Sequence, residues 1–476
     1  MKKSIKPILL SATLLLFTIT TFAQDKAKEI EQLLKKYNEY GQFNGSALVA
    51  ENGKIIFKKG FGSANFEWNV PNQPDTKFRL GSITKQFTAL LIVKLAEEGK
   101  IKLDVPITTY LPDYPKENGN KITIHHLLTH TSGIPNYTNA PNFFKDKAKN
   151  PYTPEEFVKT FSALPLEFTP GEKFNYSNSG YFLLGYIIEK ITGKTYEQYL
   201  QETIFTPLKM VNSGYDHSDL IIKNRATGYE KEGKKIVNAA YIDMSIPYAA
   251  GSLYSTVEDL YLWDQALYTN KLLSEKSMEL LFKPYIKAWD DSYGYGWAVE
   301  EVSVGDKKVK ITEHGGGING FNTIISRIPA DKNLVVLLNN TGGTVLGEMN
   351  NSIRAILYKQ AYDQPKKSLA LDLLDAYSQK GVAGGNEAYK KLKNDPTYTI
   401  IKEGDMNRVG YQLLQTGKKK EAIEIFKINV EAFPKSGNTY DSLGEAYLAD
   451  GDKKLAIENY TKSVELDPTN EGGKKF

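Results

Sequence analysis

Phe78-Arg79-Leu80-Gly81-Ser82-Ile83-Thr84-Lys85 is the stretch on which the reading of this chain turns. Beyond it, Phe87, Leu90, Leu91, Val93 and Leu95 give an apolar pattern that closes at Glu97-Glu98 and Gly99, so a helix is expected over 83–98. Ser82 and Lys85, three residues apart, then lie one turn apart on the same face. A serine hydroxyl is a weak nucleophile near neutral pH and needs an adjacent base. A lysine can be that base only if burial or nearby cations lower its pKa. The helix start also brings backbone N–H groups and positive dipole to Ser82. Alone, Ser-x-x-Lys is a common pattern, more often a serine cap beside a solvated lysine.

Two later stretches add chemistry. Pro170-Gly171 turns the chain into Tyr176-Ser177-Asn178, before an apolar helix carrying Phe182, Leu183, Leu184, Ile187 and Ile188. A phenol near cations can serve as a general base, and an amide can bind a substrate carbonyl; a core tyrosine beside an asparagine cap is the plainer alternative. Glu313-His314-Gly315-Gly316-Gly317 is expected to end a strand over 309–312. Glycines there let another backbone come close, and His314 can bring positive charge or a proton to a leaving group. A glycine-rich turn is the competing interpretation.

Outward from these motifs, residues 25–40 read as a helix with Ile30, Leu33, Leu34 and Tyr37 on one face. Asn52-Gly53 sits between the apolar runs 46–50 and 55–58, the pattern of a β-hairpin. Residues 100–290 are mostly helices and Pro/Gly-rich loops, with a capping box at Ser255-Thr256-Val257-Glu258. Strands are expected at 297–302, 309–312, 323–328 and 334–338. Strands at both ends and helices between give an α+β domain: one antiparallel sheet shared by the chain ends, with the helical middle inserted. Past Gln364-Pro365-Lys366-Lys367 the character changes. Gly417, Ala422, Phe426 and Pro434 recur 34 residues on as Gly451, Ala456, Tyr460 and Pro468, and Gly410 and Leu414 as Gly444 and Leu448. That period and pattern resemble the tetratricopeptide repeat, so an all-α segment is expected over 401–476. Residues 366–400 are expected to add helices that dock it, and the repeats are a candidate surface for a protein partner.

The three motifs together, in this order and spacing, resemble the serine β-lactamase and penicillin-binding protein superfamily, most closely its class C-like branch. The resemblance spans roughly 40–345 and takes in Leu127-Leu128-Thr129-His130-Thr131-Ser132-Gly133 and Ala249-Ala250-Gly251-Ser252. It implies an acyl-enzyme mechanism. Ser82 attacks an ester, amide or lactam carbonyl, and Lys85 and Tyr176 share the base role, with the first base left open. Asn178 orients the substrate, the Ser82 and Gly317 N–H groups hold the oxyanion, and water then releases the acyl group. His314-Gly315-Gly316 stands where class C β-lactamases have Lys-Thr-Gly. His at that place resembles esterase and D-amino-acid peptidase members and argues against efficient β-lactam hydrolysis. The expected substrate is a small-molecule or peptide acyl compound; a catalytically inactive binding protein is the alternative. Loops 136–165 and 284–296, with Tyr137, Phe143, Phe144, Tyr152, Tyr285, Trp289 and Tyr293, are candidate walls of an apolar acyl pocket, or ordinary loop packing.

The rest of the composition narrows the class. Of a net charge of +4, Lys2, Lys3 and Lys6 supply three, and no basic cluster of the kind nucleic-acid binders carry is present. Those lysines, the apolar run 8–19 and Thr21-Phe22-Ala23 read as a signal peptide over 1–23, so the mature chain is expected to be exported, periplasmic or secreted, without a stable transmembrane anchor. An uncleaved anchor would need roughly 18 to 20 apolar residues, more than this run offers. Zero cysteines exclude disulfides and thiolate ligands. The histidines His125, His126, His130 and His217 lack the spacing of a zinc motif. No P-loop, dinucleotide fingerprint or Gly-x-Ser-x-Gly elbow occurs, so neither cofactor nor metal is expected.

Overall fold

The Asn52-Gly53 turn closes its hairpin with both residues at positive φ, 52° and 73°, the geometry that matches strand twist. It joins β1 (Gly45–Glu51) to β2 (Lys54–Phe61). The structure, a computed structural model, describes residues 25–304 and 307–470; the expected signal peptide lies outside them. Numbering only the main sheet, the other strands are β3 (Ile286–Ala288), β4 (Asp291–Tyr293), β5 (Ala298–Val304), β6 (Lys307–Ile318), β7 (Phe321–Ile328) and β8 (Asn333–Asn339). Their order is β3-β4-β5-β6-β7-β8-β1-β2, antiparallel throughout. The two chain ends meet where β1 pairs with β8, Leu48 opposite Val336.

This sheet is covered on both faces, and the period-2 geometry of strands sorts the side chains. Leu48 and Ala50 of β1, with Leu334, Val336 and Leu338 of β8, enter the larger core with the inserted helices. Ala47, Val49, Val335 and Leu337 point to the opposite core, which holds Ile30, Leu33 and Leu34 from helical residues 25–39 and Ile353 and Ile356 from the helix Gly347–Leu357. The strands therefore read as continuous apolar runs.

In the inserted region, α1 (Thr84–Glu97) is preceded by a 3-10 turn, Gly81–Ile83. Eleven of its fourteen residues are buried, so it runs through the core. Next come α2 (Asn178–Thr192) and α3 (Val257–Ala266). The cap of α3 differs from expectation by one residue. Thr256 accepts the Asp259 N–H, while Ser255, ending the short strand Leu253–Ser255, bonds Ser213 Oγ at 2.7 Å.

The described residues divide into two units: those of 25–230 with those of 237–363, and those of 231–236 with those of 364–470. Apart from 231–236, which belong to a two-stranded hairpin, the second is built of helices: α4 (Leu369–Leu392, kinked at Gly381), α5 (Glu403–Gln415), α6 (Lys419–Ala432), α7 (Gly437–Asp450) and α8 (Lys453–Leu466). The repeat has a steric basis. A Cβ on Gly410 would lie 2.4 Å from the Phe426 ring, and one on Gly444 3.1 Å from Tyr460. Each glycine lets an aromatic ring close its helix pair.

Candidate active site

Gly81, at φ +56°, lifts the chain into the 3-10 turn and lets it touch strand β6: a Cβ there would fall 2.8 Å from Gly317 N. Gly316 makes the tighter approach, since its Cβ would fall 1.9 Å from Leu80 O. Thr323 on β7 fastens the same turn by donating to Leu80 O at 2.7 Å. Strand β6 does not end at Thr312 as the sequence suggested. It runs on through His314-Gly315-Gly316-Gly317, paired with β7 to Ile318. Its pairing with β5 stops at Glu313, so the glycine stretch keeps one strand edge unpaired, beside Ser82.

Lys85 is fully buried. Its Nζ lies 3.0 Å from Ser82 Oγ, 2.8 Å from Asn178 Oδ1 and 2.8 Å from the carbonyl of Ala250. Burial pushes its pKa well below the ordinary lysine value. A neutral amine has two N–H donors and one lone pair. The two carbonyl-type oxygens can only accept, so they take both protons. The serine hydroxyl alone can donate, so the lone pair faces its O–H. The Ala249-Ala250 segment thus supplies a backbone acceptor to the site.

Tyr176 hydrogen-bonds Ser82, and its ring centroid is 4.9 Å from Lys85 Nζ. Burial raises its pKa above the ordinary phenol value, outweighing the Ser82 hydrogen bond. An easily ionised phenol is therefore not what this site holds: Tyr176 keeps its proton. The segment around His130 positions the motif. His130 accepts the Ser177 N–H on Nδ1 at 3.1 Å, its carbonyl takes the Asn175 N–H, and Asn136 Oδ1 takes the Asn178 N–H.

His314 corrects the expectation of a positive charge. It is buried, and burial, then the Lys85 charge, pushes its pKa down to about 4. Both ring nitrogens are engaged, Nε2 with Tyr293 Oη at 2.9 Å and Nδ1 with Gly315 O at 2.6 Å. The carbonyl must accept, so Nδ1 carries the proton and Nε2 accepts from Tyr293. Tyr293 Oη also lies 3.3 Å from His130 Nε2. Since His130 Nδ1 is an acceptor, its Nε2 carries the proton. One directed chain results: Ser177 N–H to His130, to Tyr293, to His314, to Gly315 O, with both imidazoles neutral.

Ser82, Asn178 and Gly317 open onto a cavity of about 320 Å³, walled by Tyr137, Phe143 and Phe144 from the first expected loop. None of its lining comes from 284–296. Tyr285 instead stacks on Tyr295 at 4.4 Å, Tyr152 packs on Phe157, and Trp289 stands 6.0 Å from the Tyr176 ring. Among the described residues, no His/Asp/Glu group is arranged to hold a metal. His125 meets the Tyr295 hydroxyl, His126 closes a capping box with Thr123, and His217 meets Glu197. No helix of the described residues is long and apolar enough to cross a membrane.

This fold and site define a serine hydrolase of the β-lactamase fold. The Beta-lactamase family model matches residues 30–358, and the chain belongs to that family; a Tetratricopeptide repeat model matches 437–470. A putative penicillin-binding protein PbpX of Bacillus subtilis is 34% identical over 338 residues, covering 71% of this chain and 81% of the relative. The penicillin-binding protein structure from Bacillus halodurans is 30% identical with a TM-score of 0.61, covering 68% of this chain and 98% of that one. The D-amino acid amidase of Ochrobactrum anthropi, complexed with D-phenylalanine, is 25% identical with a TM-score of 0.61, covering 70% and 98%.

Proposed function

We propose that the protein is an exported serine hydrolase that cleaves an ester, amide or peptide bond through an acyl-enzyme on Ser82. The observation that carries this reading is the buried Lys85 amine between two obligate acceptors and the Ser82 hydroxyl. Lys85 Nζ takes the Ser82 proton as Oγ bonds to the substrate carbonyl carbon. The N–H groups of Ser82 and Gly317 hold the oxyanion, and Asn178 binds the acyl portion. As the intermediate collapses, the proton passes from Lys85 by way of the Tyr176 hydroxyl to the leaving group. A water then adds to the acyl carbon and gives its proton to the same base; the bond from the acyl carbon to Oγ breaks, Ser82 takes that proton back, and the acid leaves.

The missing cation at His314 narrows the substrate. Penicillins and peptides ending in D-alanine present a carboxylate beside the scissile bond, and a neutral imidazole offers it no charge. This favours esters and aminoacyl amides over β-lactams, in keeping with the likeness to a D-amino acid amidase. The lysine-rich start and the apolar run 8–19 support export, and the repeats support a protein partner. The test is a hydrolysis panel with the wild type and Ser82→Ala: p-nitrophenyl esters, D-alanyl amides and nitrocefin. Ser82-dependent turnover of esters or amides, with nitrocefin slowest, is expected. Equal rates for the two proteins would overturn the reading.

A further inference from the structure

The cavity in front of Ser82 has a feature the serine mechanism does not use. Its lining includes the apolar and aromatic residues Tyr137, Phe143, Phe144, Ile242 and Ile246, and of its lining residues only Glu230 carries a charge. The carboxylate is held in place. Oε1 accepts the Gly320 N–H at 2.8 Å, and the side chain lies over Gly342, where a Cβ would fall 2.0 Å from Oε2. Glu230 has no ion-pair partner among the described residues, and Oε2 has no donor there. A fixed anion with one uncommitted oxygen favours a cationic hydrogen-bond donor once a bound acyl group displaces water, because the pair then interacts in a lower dielectric. A neutral group of the same size leaves that oxygen desolvated and unpaired, which a site rejects more strongly than a missing apolar contact.

We propose that Glu230 makes this cavity a subsite for an acyl group bearing a primary ammonium. The proposal rests on the Ser82 acyl-enzyme reading and adds to it the charge of the acyl portion. An α-ammonium and a chain-end ammonium stand at different distances from the acyl carbon, and the two ester pairs below tell which of them reaches the carboxylate.

The experiment compares isosteric p-nitrophenyl esters on the full chain: 6-aminohexanoyl against heptanoyl, and D-phenylalanyl against 2-methyl-3-phenylpropanoyl of the matching configuration. The first pair reads a terminal ammonium, the second an α-ammonium. In the wild type, kcat/KM should favour the ammonium member of at least one pair by roughly 10- to 100-fold. Glu230→Gln keeps an acceptor for the Gly320 N–H and removes the charge. It should erase that preference, and Glu230→Lys should invert it. A preference that survives in Glu230→Gln, or is absent from both pairs in the wild type, overturns the proposal. If Ser82 proved not to be the nucleophile, the subsite would still be readable by binding: hexylammonium should raise the Tm of the wild type and not of Glu230→Gln, with hexanol treating both alike. Equal shifts by hexylammonium in the two proteins would also overturn it.

Discussion

Lys85 shows how one residue's surroundings decide its chemistry. A lysine with a lowered pKa is the active base above that pKa and is lost as pH falls through it. The raised pKa of Tyr176 puts no falling limb near 10. The pH profile of kcat/KM for a neutral ester should therefore rise well below the ordinary lysine value and stay level into the alkaline range. A bell with a limb near 10 would contradict the assignment. Lys85→Arg, which cannot give up its proton, should lower kcat by about 10²- to 10⁴-fold. His314 makes a stability claim. Its pKa is about 4 in the fold against an ordinary imidazole value of 6.5, so unfolding takes up a proton between those values. Its stabilisation is complete above 6.5 and is lost as pH falls towards 4, on the order of 3 kcal/mol in all. Urea midpoints at pH 7 and 4.5 should show that loss, and His314→Gln should reduce it. Ser82, Lys85, Tyr176, Asn178 and His314 were legible because their side chains sit in motifs. The Ala250 carbonyl was not, since a backbone acceptor far along the chain leaves no side-chain signature. Glu230 and the bridging role of Tyr293 were missed likewise, as long-range geometry alone brings them to the cavity and to the two histidines.

The elements that carry these residues depend on one close contact, between strand β6 and the turn before α1. Of the three motif glycines only Gly316 is sterically tight. Gly315 and Gly317 would each meet their nearest neighbour at 3.7 Å. Gly316→Ala should cost about 1–3 kcal/mol or more and slow turnover, because Ser82 and Gly317 move apart; Gly315→Ala should stay within about 0.5 kcal/mol. Denaturant midpoints measured beside ester turnover check both. The sequence placed this motif at the end of a strand because glycine weakens strand propensity. Pairing along β7 from His314 to Ile318 overrides it. The α3 cap moved from Ser255 to Thr256 for a related reason: the short strand and the buried Ser213 bond had already claimed Ser255.

At the scale of the whole molecule, the apolar strand runs at the two ends of the chain foretold a shared antiparallel sheet with an insertion. They could not foretell that both faces would be covered, because a doubly covered strand loses its alternation. The buried pair Asp264–Arg327, 2.5 Å apart, ties α3 to β7 across this architecture. Arg327→Met should cost roughly 3–5 kcal/mol by leaving Asp264 unpaired, and thermal unfolding measures it. The second unit has its own core, so Phe426→Ala, roughly 3–5 kcal/mol in cost, should shift its unfolding transition and leave ester turnover unchanged. The most direct test of the central claim is intact-mass analysis and peptide mapping after treatment with a fluorophosphonate. The account predicts a single adduct on Ser82, absent from Ser82→Ala and formed far more slowly in Lys85→Arg. An adduct on another serine, or none on the folded wild type, would contradict it.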